Sequence, residues 1–225
     1  MKKTLLISAL AALALVGCTD VTDENPNVDW DLLKPITIVE DNGTITSGIE
    51  KYTTTSTFAY HCEGSDITIN VDLTKEDLQA ASDAGAWTIG TFTLPVDKLN
   101  TWLEAFVAEL DETTFVGYNP DGNATDFTSY KPGMWVDADG VACGWDKGAA
   151  FWQWYIWGGK SDKNGNKITY DNDPEGTGEN AGLFIVGCNP ANLANASGKT
   201  IKMHNVIKVE KGDINFDITF KYAAL

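Results

Sequence analysis

Five of the eight tryptophans in this chain, Trp135, Trp145, Trp152, Trp154 and Trp157, crowd into one stretch and carry its strongest chemical signal. An indole offers a flat apolar face with a polar edge. It can stack on the C–H faces of pyranose rings while neighbouring acids and amides bond the hydroxyls. Tyr155 lies among them, and Asp137 and Asp139 stand just after Trp135. Trp135, Trp145, Trp152, Trp154, Tyr155, Trp157, Asp137 and Asp139 are therefore the candidate carbohydrate-binding set. Strand alternation through Phe151 to Trp157 puts Trp152, Trp154 and Ile156 on one face and Phe151, Gln153, Tyr155 and Trp157 on the other. Two readings stay open. Either the strand is central and buried on both faces, or one face is core and the other an aromatic platform of the kind monomers rarely leave bare without a ligand or partner.

Other chemistry finds less to work with. His61 and His204 are the only imidazoles, no Gly-x-Ser-x-Gly elbow is present, and neither histidine has a recognisable Ser or Cys partner. A carboxylate pair for glycosidic cleavage would have to be picked from 32 acids without a signature, so no catalytic residues are expected and the chain reads as a non-enzyme. Asp162, Asn164 and Asn166 space oxygens as a calcium loop does, with Asp173 in the twelfth position. The sixth position is Lys167 where Gly is required, and Asp173 stands where a bidentate Glu is usual. A solvated turn suits the same residues, with calcium the alternative. Asp137-Ala138-Asp139-Gly140 is likewise a turn or a cation site. No metal ligands are assigned.

Every basic residue is a lysine: 16 of them against 32 acids, for a formal charge of −16. With no arginine to fork onto phosphate, nucleic acid is excluded as a partner. The acidity repels polyanions and anionic membrane surfaces, and neutral ligands fit it.

Lys2 and Lys3 followed by the apolar run to Val16 read as a signal peptide, residues 1–17, too short for a helix of about 20 residues to span a bilayer. Leu15-Val16-Gly17-Cys18 resembles the lipobox of bacterial lipoproteins, making Cys18 the lipidation site and the membrane a partner through its acyl chains. Asp20, Asp23 and Glu24 head an acidic tether, residues 18–35. It looks like the export signal that places Bacteroidota lipoproteins on the outer face of the outer membrane; a periplasm-facing anchor is the alternative.

Residues 36–225 then alternate short apolar runs with Gly, Asn, Asp and Pro turns. This predicts a mainly β fold, a jelly-roll-like β-sandwich in one domain, with a subdivision near 95 as an option. The clearest strand is 214–222, where Ile214, Phe216, Ile218, Phe220 and Tyr222 alternate with Asn215, Asp217, Thr219 and Lys221. One or two short helices pack on the sheet. One starts with Thr74 as N-cap and Asp77 at the capping-box position, and another runs from about Asp97 to Leu110 with an apolar stripe.

The segment Pro132 to Trp145, with its Gly-x-Trp-x-Asp-x-x-Gly core at Gly133 to Gly140, resembles a domain of unknown function found in Bacteroidota surface lipoproteins and appended to glycoside hydrolases. Leu183 to Pro190 and Phe216 to Phe220 share the likeness, which spans about Ile67 to Tyr222. It implies a β-sandwich accessory module in glycan use with no catalytic residues to carry over. Because Cys143 and Cys188 both lie in that region, they are the best disulfide guess among Cys62, Cys143 and Cys188; buried free thiols are the alternative. The resulting expectation is a non-catalytic, lipid-anchored surface protein binding a polysaccharide or oligosaccharide. The rivals are an interaction lipoprotein docking to an outer-membrane partner and an unrecognised glycoside hydrolase.

Overall fold

The structure, a computed structural model, describes residues 38–64, 66–94, 116–118, 124–125, 133–155, 159, 161, 164–170, 172–209 and 212–225. Its elements are β1 (Ile38–Thr44), β2 (Thr46–Ser47), β3 (Thr57–Glu63), β4 (Asp66–Leu73), α1 (Lys75–Ala84), β5 (Thr88–Thr93), β6 (Val116–Tyr118), β7 (Ala124–Thr125), β8 (Gly133–Val136), β9 (Ala142–Cys143), β10 (Ala150–Trp154) and β11 (Leu183–Gly187). A 3₁₀ turn (Pro190–Asn192), α2 (Leu193–Ala196), β12 (Thr200–Val209) and β13 (Gly212–Tyr222) complete the order.

The strands form two sheets. The first, sheet A, runs β1-β3-β4-β13-β12-β6-β7, and the second, sheet B, runs β2-β5-β11-β10-β8-β9. All pairs are antiparallel except β4 with β13, where Ile67 lies beside Phe216 and Leu73 beside Tyr222. Residues Ile36–Leu225 form one compact unit. The chain on either side of residue 95 contributes to both sheets: β4 lies beside β13 in one, and β5 beside β11 in the other.

What joins the sheets is aromatic. Phe58 of β3 stacks on Phe92 of β5 with ring centroids 4.4 Å apart, and Phe92 meets Phe184 of β11 at 5.0 Å. Phe184 lies parallel to Trp152 of β10 at 5.7 Å, and Trp152 and Trp154 reach Phe216 of β13 at 5.7 and 5.3 Å. The chain of contacts runs from sheet A through sheet B and back, so this is a β-sandwich with its core between the sheets. The alternation in β13 is realised in full: Ile214, Phe216, Ile218, Phe220 and Tyr222 are buried, while Asp217 and Lys221 are exposed. Fully burying one such side chain contributes roughly 1.5–3 kcal/mol.

The helix after β4 runs to Ala84, longer than the stretch to Leu78 that its start signal marks. Thr74 caps it, accepting from the Asp77 amide at 3.4 Å, and Gly85 ends it in the left-handed conformation at φ 61°. Asp77 does not complete a capping box. The Thr74 amide donates instead to Ser56 Oγ at 3.0 Å, while the buried Asp77 carboxylate ties down the loop before β3. It accepts from Tyr52 Oη at 2.7 Å, from the amides of Thr55 and Ser56 at 2.9 and 2.6 Å, and from Ser56 Oγ. Burial works against its ionisation, but these hydrogen bonds outweigh it and hold the carboxyl below its usual range. The hydrogen bond to Asp77, with burial, pushes the Tyr52 phenol up to about 12. The expected helix at 97–110 and residues 1–35 lie outside the described residues. Among those described, no helix is long and apolar enough to cross a membrane.

Candidate functional site

β10 sets the geometry of the site. Trp152 and Trp154 point between the sheets and are wholly buried, and Trp154 Nε1 donates to the Gly182 carbonyl at 3.2 Å. On the other face, Tyr155 is buried against Tyr170 with centroids 4.6 Å apart, and Phe151 is 7% exposed. The strand is therefore buried on both sides. This corrects the expectation for Trp152, Trp154 and Tyr155: a ring enclosed by side chains has no face to offer a sugar. Trp157 lies outside the described residues.

The cover over Phe151 is where aromatic surface reaches solvent. Trp135 of β8 lies nearly parallel over Phe151 at 4.4 Å and 28°, as strand neighbours opposite each other in register allow. Trp145 packs edge-on against Trp135 at 4.9 Å and 88°. Trp87, immediately before β5, meets Phe151 at 5.2 Å and Trp135 at 6.2 Å. Trp145 is 48% exposed and Trp87 41%, with Trp135 half-buried between them. The other exposed large apolar side chains among the described residues are Ile38, Val141 and Leu225, and none of them contributes a ring to this group. Trp87 was missed by sequence because it stands alone, far along the chain from the tryptophan-rich segment. The pairing of β5 with β11 and of β11 with β10 brings it there.

Two glycines make room for the cluster. A Cβ on Gly148 would sit 2.3 Å from Trp135 Cε3, and one on Gly187 would sit 2.1 Å from the Trp87 carbonyl oxygen. Gly187 is opposite Phe151, so the Trp87 backbone crosses above it and sets the indole over that ring. The turn bearing Trp145 is anchored from behind by two asparagines. Asn189 Nδ2 donates to the Trp145 carbonyl at 2.8 Å, and Asn192 Nδ2 to that of Asp146 at 2.9 Å. Asn189 is buried and also donates its amide to the Gly148 carbonyl, so Trp145 is carried by a braced loop.

Asp137 and Asp139 close the β8–β9 turn. Asp137 Oδ1 accepts from the amides of Asp139 and Val141 at 2.9 and 3.0 Å, with Gly140 at φ 82° completing the turn. Asp139 points to Lys199, its carboxylate 3.1 Å from Nζ. Asp137 thus shapes the loop beside Trp135, and Asp139 is taken up by an ion pair.

Cys62, Cys143 and Cys188 are free thiols. The guess of a Cys143–Cys188 bridge fails on topology. Cys143 ends β9 and Cys188 follows β11, with β8 and β10 between them. Three strand spacings amount to about 14 Å, far beyond what a disulfide spans. Burial pushes Cys62 and Cys188 up to about 12. It pushes Cys143 up to about 11, where Asp137 and Asp146 add to the effect and Lys147 opposes it. None is poised as a nucleophile. The histidines sit on the outer face of sheet A beside carboxylates: His61 Nδ1 is 3.2 Å from Glu40 and His204 Nδ1 2.9 Å from Asp217. Among the described residues, no three or more His, Cys, Asp and Glu side chains group so as to hold a metal ion. Asp173, the twelfth-position candidate for calcium, accepts instead from the amides of Thr177 and Gly178, both at 2.8 Å, and so closes its own turn.

The fold and its surface define a two-sheet β-sandwich with a solvent-facing aromatic patch on one sheet. Residues 86–213 match the family model described as a domain of unknown function (DUF4859), and the chain belongs to that family. The match is narrower than the span expected from Ile67 to Tyr222, yet it contains every residue of the patch. No match was found among curated proteins or solved structures.

Proposed function

We propose that the protein is a non-catalytic, lipid-anchored cell-surface module that binds carbohydrate on the outer face of sheet B, with Trp87, Trp135 and Trp145 as the stacking surface. The observation that carries this reading is the pair of large indoles, Trp87 and Trp145, left roughly half exposed and contiguous with Trp135, with the turn of Trp145 held by Asn189 and Asn192. Exposed apolar clusters of this kind mark ligand or partner sites. Braced aromatic rings bind at little entropic cost. Anchoring through Cys18 at the outer membrane, and service in a glycan-utilisation system, rest on the lipobox-like segment, the acidic tether and the family resemblance.

Tryptophan emission of the chain across a polysaccharide library, with acrylamide quenching, tests the binding site. A saturable blue shift with loss of quenching for one glycan class is expected, and it should disappear in Trp145→Ala. If every glycan leaves the indoles equally quenchable, while a co-purified protein protects them, the patch belongs to a protein partner. Product release from the same polysaccharides would overturn the non-catalytic part, and mass spectrometry finding Cys18 unmodified after membrane extraction would remove the anchor.

A further inference from the structure

The surroundings of the patch narrow the class of glycan, an inference that rests on the reading just given. Two carboxylates stand at its β9 side. Asp137 follows Trp135 by two residues, and the exposed Asp146 follows Trp145 directly. Both act electrostatically on Cys143, which lies opposite Trp135 in register. Among the described residues, Lys147 is the cation that opposes them at Cys143, and Lys199 is already paired with Asp139. Asp137 is held in orientation by the loop amides of Asp139 and Val141, both of which donate to Oδ1.

We infer that this site takes neutral glycans and turns away uronate-bearing or sulfated ones. A carboxylate is only an acceptor, so it complements a sugar hydroxyl, which donates, and has nothing to offer a ligand carboxylate or sulfate, which also only accepts. Coulomb repulsion adds to that mismatch in a chain of formal charge −16.

The test uses the whole chain against glucan, mannan and galactan, each as the neutral polymer and as its C6-oxidised, uronate form, at about 0.01 M and about 1 M salt, where the screening lengths are about 30 and 3 Å. Retention of at least one neutral polymer is expected, with its oxidised form held about tenfold more weakly at low salt and the gap closing at high salt. Asp137→Asn combined with Asp146→Asn keeps the Oδ1 acceptor that the loop needs, and should narrow the gap at low salt. Equal or tighter retention of the oxidised form, or a gap unmoved by the double variant, overturns the charge selection and leaves the aromatic site standing. Failure to retain any of the six polymers, with indole quenching unchanged, removes both.

Discussion

The two outer faces of the sandwich are built over the same core, and they treat water in opposite ways. Across sheet A a single row carries Glu40, His61, Thr68, Asp217 and His204 on five neighbouring strands, and the next row carries Asn42, Ala59, Asn70, Thr219 and Lys202. Neighbours satisfy one another along these rows and the adjoining ones: His204 with Asp217 at 2.9 Å, Asn215 with Asp66 at 2.7 Å, Lys221 with Asp72 at 3.0 Å. This is what a half-solvated sheet is expected to show. On sheet B the corresponding row runs Thr88, Gly187, Phe151, Trp135, Cys143, and indoles overlie it. An exposed face that keeps apolar rings where its twin has polar pairs gains nothing from water, so the departure points to something that covers it.

Both faces depend on the shared core. Trp152→Ala should lower unfolding free energy by about 3–5 kcal/mol in a denaturant titration, because a fully buried indole leaves a cavity between the sheets. A loss comparable to that from a surface tryptophan would mean the sheets are not packed as described. Asp77 belongs to neither face, and Asp77→Asn should cost about 2 kcal/mol by weakening the set of hydrogen bonds that holds residues 52–56. Because its folded pKa is depressed, the stability it contributes is present above the unfolded value of about 4 and is lost as pH falls through the folded one. The acid limb of a stability–pH profile should therefore be flatter in Asp77→Asn, and an unchanged limb would count against the assignment.

Smaller changes sharpen the contrast between the faces themselves. Gly148→Ala forces a methyl into Trp135 and should cost about 1–3 kcal/mol while displacing the patch, visible as altered near-ultraviolet dichroism. Trp145→Ala should leave the unfolding midpoint within the range of an ordinary surface substitution, yet weaken glycan retention about tenfold or more, roughly 1.4 kcal/mol. Equal losses of stability and binding would make Trp145 structural. On sheet A, His204→Gln should shift stability by at most about 0.5 kcal/mol and leave glycan retention untouched. An effect on retention there would move the site to the wrong face.

Much of this architecture was legible from local pattern. The alternation through β13, the turn residues around β8 and β9 and the Thr74 cap each reflect forces acting over a few residues, and the structure shows them where the chain announces them. Local spacing marks Asp77 as half of a capping box, whereas its carboxylate serves a loop some twenty residues upstream, a partner that local spacing does not reveal. In the tryptophan-rich segment, period-two alternation separated Trp152 and Trp154 from Phe151 and Tyr155 correctly, and left open what would lie against either side.

By itself, then, the amino-acid order determined a mainly β chain, acidic and free of arginine, with five of its eight tryptophans between Trp135 and Trp157. Which of those rings meet water is set by long-range packing, which the order of residues along the chain does not display. Burial is settled by β8 and β11, which pair on either side of β10, and by β13 of the sheet packed against it. Such long-range pairings consigned Trp152 and Trp154 to the core and brought the solitary Trp87 to the side of Trp135, 6.2 Å away.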